Sequence, residues 1–196
     1  MQAAVFLDRD GVINQNRSRY VRTWEDVSFL PGVFPALARL SSTSFCVVLV
    51  SNQSPVGRGI LSCAQVEAIN RRMVVEIERR GGRVDAVYYC PHRPDEGCDC
   101  RKPNPGMLLR AARDLHLDLG RSYMIGDAVS DVEAGLAAGC SPILVLTGRG
   151  TDQQLILHER GYDLVPVTAD LAGAVELVLN DAGQKPWELP TILRDR

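Results

Sequence analysis

Residues 3–14 read AAVFLDRDGVIN, a brief apolar run that ends in Asp8, Asp10 and Gly11. A run this short, closed by polar residues and glycine, has the pattern of a strand buried on both faces. Four later segments repeat it: FCVVLVS (45–51), VDAVYYC (84–90), SYMIGD (122–127) and SPILVLTG (141–148). Amphipathic stretches separate them. The clearest runs from Ser62 to Gly81, with Ser62 and Gln65 at capping-box spacing and Gly81-Gly82 as a stop. Its Val66, Ile69, Met73 and Ile77 fall on one helical face. A second helix is expected from Asn104 as N-cap and Pro105 in the first turn, with Leu108, Leu109, Ala112 and Leu115 inward. A third follows Asp131. Helices alternating with buried strands predict an α/β class: a Rossmann-like parallel sheet with right-handed crossovers and helices on both faces.

In an open parallel sheet, ligands gather beyond the carboxyl ends of the strands. Asp8, Asp10, Ser51 and Asp127 arrive there from separate strands, and Lys102 lies in the polar stretch after VDAVYYC. Hard carboxylate oxygens of Asp8 and Asp127 suit Mg²⁺. Asp8 could then attack an anionic phosphoryl group and form an acyl phosphate. Asp10 could protonate the leaving alcohol and later take a proton from water. Ser51 and Lys102 would neutralise the phosphoryl oxygens. D-R-D-G alone also has good turn chemistry, so the weight rests on Ser51, Lys102 and Asp127 each falling at the expected place as well.

The motifs LDRDGVIN, VSNQS, CRKPNPGM and IGDAVSD, in that order over residues 7–131, resemble the haloacid dehalogenase-like superfamily. The resemblance implies Asp8 as nucleophile, Asp10 as acid/base, Ser51 and Lys102 as phosphate binders, and Asp127 as metal ligand. It further implies that the Asp10 backbone carbonyl ligates Mg²⁺ and that Asp131 supports the metal site without ligating it.

Cys90-Pro-His92 and Cys98-Asp-Cys100 place three sulfurs and one nitrogen within eleven residues. Four such ligands complete a closed tetrahedral Zn²⁺ site, whose metal would be structural; free thiols on a loop are the alternative. The loop runs directly into Arg101 and Lys102, so zinc would hold the backbone that presents both cations. Cys46, Cys63 and Cys140 read as packing residues. The segment YYCPHRPDEGCDCRKPNPGMLL is similar to the heptose-bisphosphate phosphatases of the superfamily, which remove the 7-phosphate of D-glycero-D-manno-heptose 1,7-bisphosphate. Histidinol-phosphate phosphatases share the zinc loop. DRDGVIN, PNPGMLL and the later LVLTGRG favour the sugar-phosphate branch. That branch usually has glycine where Pro55 stands, and lysine or arginine where Ala128 follows the metal aspartate. The second departure removes a cation expected near the substrate.

Neither the Asp10–Ser51 interval nor the stretch after Tyr89 has room for an inserted cap domain of about 50 residues. Recognition is therefore left to loops: Asn16, Arg17, Arg19 and Tyr20 after the first strand, Asn52, Gln53 and Ser54 after the second, and Arg101 beside Lys102. An arginine can grip a second, non-reacting phosphate bidentately. Hydrophobic residues at 45% and charged residues at 23% describe an ordinary water-soluble domain. A net charge of −2 and the lack of an aromatic-basic stripe oppose nucleic-acid binding. No apolar run is long enough to span a membrane, and the N-terminus lacks a signal-peptide pattern, so a cytoplasmic protein is expected, and it is taken as a monomer. Residues 1–180 are assigned to one phosphatase domain, with the zinc loop at 90–102, and 181–196 to a loosely docked tail. A zinc-stabilised binding module without catalysis is the competing class.

Overall fold

The structure, a computed structural model, describes residues 1–181. The assigned tail therefore lies almost wholly outside the described residues. Six strands form one parallel sheet: β1 (Ala4–Leu7), β2 (Cys46–Asn52), β3 (Ala86–Cys90), β4 (Tyr123–Gly126), β5 (Ser141–Val145) and β6 (Val167–Thr168). Their spatial order is β3-β2-β1-β4-β5-β6. The order reverses at β1, which pairs with β2 on one side and β4 on the other. Crevices in doubly wound sheets open at such a switch point.

The helices are α1 (Val33–Ser41), α2 (Ser54–Gly57), α3 (Cys63–Arg79), α4 (Gly106–Leu115), α5 (Val129–Ala138), α6 (Gly150–Glu159) and α7 (Leu171–Asp181). They cover both faces, as the period-2 alternation of β1 requires. Val5 and Leu7 enter one core with Leu37, Met73, Ile77 and Val175, from α1, α3 and α7. Ala4 and Phe6 enter the other with Leu108, Ala111 and Ala134, from α4 and α5. Every side chain of β1 is fully buried, which fixes its register and so the position of Asp8.

The α3 expectation holds in detail. Ser62 is the N-cap in a reciprocal capping box with Gln65, and Val66, Ile69, Met73 and Ile77 are buried. The other two helices shift. Pro105, not Asn104, is the N-cap of α4, because the Asn104 side chain donates instead to the Cys98 carbonyl at 2.8 Å. That moves the inward face to Met107, Leu108 and Ala111, leaving Leu109 41% exposed. α5 begins before Asp131, since the Asp131 carboxylate accepts from the Ala128 N–H and so caps the helix start. The two-residue strand β6 is too short to be read from periodicity. Among the described residues no cap domain is inserted. None of the described helices is long and apolar enough to cross a membrane.

Candidate active site

β1 and β4 end side by side, so Asp8 and Asp127 meet at the switch point. Oxygens of Asp8, Asp127 and Asp131 all lie within 4.8 Å of one another. Lys102 reaches into this cluster from the loop after β3. Its ammonium donates to Asp8 Oδ1 at 2.7 Å and to the Val50 carbonyl at 2.8 Å, and it pairs with Asp131 Oδ1 at 2.6 Å. Asn52 fixes that approach from β2: its Oδ1 accepts from the Lys102 N–H at 3.1 Å and its Nδ2 donates to the Lys102 carbonyl at 3.0 Å. Asn52, expected to contact substrate, thus spends its amide on holding the backbone of Lys102.

Three buried carboxylates outweigh one ammonium, and the protonation equilibria record it. Burial pushes the Asp8 carboxyl up to about 7; Lys102 opposes this, while Asp131, Asp127 and Asp10 add to it. Asp127 is also raised, by burial and then by Asp131, against the pull of Arg149. Burial disfavours the Lys102 ammonium, but Asp131 and Asp8 more than offset it, so Lys102 stays protonated. A cluster of hard oxygens with surplus negative charge fits a divalent cation of the Mg²⁺ type.

Asp10 belongs to a separate network. Arg9, itself 2% exposed, donates through Nη2 to both Asp10 oxygens, at 3.1 and 2.8 Å, and to Gln53 Oε1 at 3.1 Å. Gln53 Nε2 donates to Asp10 Oδ2 at 2.9 Å and to Ser51 Oγ at 3.3 Å, and Asn14 Nδ2 donates to Asp10 Oδ1 at 2.9 Å. Burial alone would raise the Asp10 carboxyl. The Arg9 charge and the three side-chain donors reverse that and hold it below its ordinary value. Arg9 and Asn14 were not singled out in the sequence, although both lie inside DRDGVIN.

A cavity of about 700 Å³ opens over these networks. Of the expected contacts, Asp10, Asn16, Arg17, Tyr20, Asn52, Gln53, Ser54, Arg101 and Lys102 line it. Asp8, Ser51 and Asp127 are buried, touching the lining residues Lys102, Gln53 and Arg149. Arg19 is exposed and outside the lining; its carbonyl accepts from Arg22. Pro55 sits in the first turn of α2, where a missing N–H costs no helical bond.

A cation approaches Asp127 from elsewhere in the chain. Arg149, in the loop after β5, lines the same cavity and pairs with Asp127 Oδ1 at 3.3 Å. The only sequence signal was its place at a strand end between two glycines. Gly148, at φ +60°, lies so close that a Cβ there would sit 2.2 Å from Asp127 Oδ2. Thr147 Oγ1 ties this loop to the Gly11 carbonyl at 2.6 Å.

Beside the cavity, Cys90 Sγ, His92 Nδ1, Cys98 Sγ and Cys100 Sγ converge with five separations between 3.2 and 3.6 Å. A tetrahedral zinc site with bonds of about 2.3 Å to sulfur has edges of about 3.7 Å, so the set fits within a few tenths of an ångström. None of the six cysteines is in a disulfide. Arg101 Nη1 donates to the His92 carbonyl at 3.3 Å, which links the cluster to the cavity wall.

The HAD-hydrolase-like family model matches residues 99–174. The chain belongs to this haloacid dehalogenase-like hydrolase family. A Bordetella bronchiseptica relative named D-glycero-beta-D-manno-heptose-1,7-bisphosphate 7-phosphatase is 41% identical over 91% of this chain and 98% of its own. The Escherichia coli (strain K12) protein of the same name is 37% identical over 93% and 91%. The crystal structure of D,D-heptose 1,7-bisphosphate phosphatase from B. bronchiseptica, complexed with magnesium and phosphate, superposes with a TM-score of 0.84. It is 39% identical in sequence, covering 91% of this chain and 99% of that one.

Proposed function

We propose that the protein hydrolyses the 7-phosphate of D-glycero-D-manno-heptose 1,7-bisphosphate through an aspartyl-phosphate on Asp8. The observation that carries this reading is the junction of Asp8, Asp127, Asp131 and Lys102 beneath a cavity lined by five cations and one carboxylate. The cations are Arg9, Arg17, Arg101, Lys102 and Arg149; the carboxylate is Asp10. Such a lining favours a sugar bisphosphate, with two anionic groups, over histidinol phosphate, whose single phosphate is accompanied by an ammonium.

Asp8, Asp127 and the Asp10 backbone carbonyl would hold Mg²⁺, which when bound offsets the repulsion between the Asp8 carboxylate and the phosphoryl group. Asp131, with one oxygen on Lys102 and the other on the Ala128 N–H, orients the site from behind. The Asp8 carboxylate attacks phosphorus, and the bond to the sugar oxygen breaks. Lys102 and the Ser51 hydroxyl stabilise the phosphoryl oxygens. Asp10, once it has taken up a proton, gives it to the departing sugar oxygen. The ionised Asp10 then accepts a proton from the water that cleaves the acyl phosphate. Arg9, Asn14 and Gln53 hold that ionised form. Cys90, His92, Cys98 and Cys100 would hold Zn²⁺, which would brace the loop that presents Arg101 and Lys102. Residues 1–180 then act as one catalytic domain, read as a cytoplasmic monomer.

A panel of both heptose-bisphosphate anomers, fructose 1,6-bisphosphate and histidinol phosphate, assayed with Mg²⁺, tests the assignment. The relatives' names specify the beta anomer, so it is expected to give the highest kcat/KM. A preference for histidinol phosphate would overturn the reading.

A further inference from the structure

Arg149 stands apart from the other cations of the cavity. Arg9 is tied to Asp10, Gln53 and Asn70, and Lys102 to Asp8 and Asp131. Arg101 and Arg17 donate to backbone carbonyls, of His92 and Asp26. The Arg149 guanidinium alone among them pairs with Asp127, the carboxylate that the proposed site gives to a divalent cation.

Its backbone and side chain are held differently. The Arg149 N–H donates to Asp127 Oδ2 at 2.8 Å, and Gly148 packs against the same carboxylate. Gly150 leaves no more room: a Cβ there would sit 1.8 Å from the Val145 carbonyl oxygen. The side chain is 58% exposed and lines the cavity, with one contact of 3.3 Å to Asp127 Oδ1. The loop is therefore fixed while the guanidinium can turn. A divalent cation on Asp127 neutralises the charge that holds the guanidinium and repels it directly. The anion then nearest in the cavity is the ligand.

We propose that Arg149 competes with the divalent cation for Asp127 and, once displaced, binds the non-reacting phosphate of the bisphosphate. This rests on the function proposed above and deepens it. Arg149 becomes a specificity determinant whose engagement is coupled to metal occupancy, in the place left open by Ala128. The coupling orders binding: an anion grip forms only when the metal needed for chemistry is present.

Two measurements on the full chain test it, with Arg149→Ala and Arg149→Lys checked for native circular dichroism. In calorimetric titration of metal-free protein with Mg²⁺, Arg149→Ala is expected to bind about two- to fivefold more tightly than wild type. That is the effect of removing one partly exposed ion pair. At saturating Mg²⁺, the kcat/KM ratio for the heptose 1,7-bisphosphate over the heptose 7-phosphate is expected to fall roughly 10-fold or more, with partial recovery in Arg149→Lys. Weaker Mg²⁺ binding by Arg149→Ala, or an equal loss on both substrates, would overturn the inference and leave Arg149 as a brace for Asp127. The titration is independent of the sugar. Wild-type protein that releases no phosphate from the bisphosphate would instead count against the substrate assignment.

Discussion

The Cys90–Cys100 loop draws four ligand atoms from eleven consecutive residues, whereas the carboxylate cluster joins Asp8 to Asp127 across most of the chain. The first site needs only a loop of the right length. The second exists only when β1 and β4 pair in the observed register, Val5 with Tyr123 through Leu7 with Ile125. The two meet at Arg101 and Lys102, whose loop begins at the cysteines and ends in the carboxylates. Damage to the loop should therefore reach chemistry through position, and damage to the cluster should reach it directly.

Asp8→Asn should show the largest effect, a loss of turnover of at least roughly 10⁴-fold with the fold retained, because it removes the proposed nucleophile. Phosphate-release kinetics and circular dichroism check both halves. Activity within 10-fold of wild type would sever the cluster from the chemistry.

The loop comes next. Freshly purified protein should hold about one zinc per chain through dialysis against mild chelator. Cys98→Ser should lower activity about 10- to 100-fold, the range for groups that orient others, while Mg²⁺ affinity stays near wild type. Metal analysis without zinc would break the contrast between the sites.

Arg101 sits at their junction. Arg101→Ala should reduce kcat/KM more for the heptose bisphosphate than for the 7-monophosphate, by about 10- to 150-fold, as one charge-assisted contact of roughly 1.5–3 kcal/mol is lost. An equal loss on both would place Arg101 with the loop fold instead.

The smallest effect is on stability. Asp8, at about 7 in the folded protein, lies above an unfolded carboxyl at about 3.9, so folding favours its protonated form. That contribution is complete below about pH 4 and is lost as pH rises through 7. Asp10, held below its ordinary value, has finished titrating below this window. The Tm of metal-free protein should therefore fall by a few degrees between pH 5 and 8, and Mg²⁺ should raise it more at pH 8 than at pH 5. A metal-free Tm that climbs over this range would mean that burial does not hold the Asp8 carboxyl up in the folded protein.

The same contrast explains what could be read in advance. Zinc spacing is local, so Cys90, His92, Cys98 and Cys100 could be placed together from sequence. Asp8, Ser51 and Asp127 were legible because strand ends in a parallel sheet converge. Arg149 was not, because only the fold brings the end of β5 against Asp127, 22 positions earlier in the chain. Arg9 and Asn14 were hidden by their neighbours, since a buried arginine between two aspartates reads as solvated charge until Gln53 and Asn70 are seen to close around it. Asn52 and Asp131 stand out in the sequence by their motifs, but their partners, the Lys102 backbone and the Lys102 ammonium, are visible only in the fold.

Covalent catalysis at Asp8 is the claim on which the rest depends. The direct measurement is rapid acid quench of protein mixed with Mg²⁺ and heptose 1,7-bisphosphate carrying ³²P at the 7-phosphate, followed by peptide mapping. The expected result is transient label on the peptide containing Asp8, formed before free phosphate and absent from Asp8→Asn. Phosphate released at the full rate with no labelled protein at any time point would contradict it.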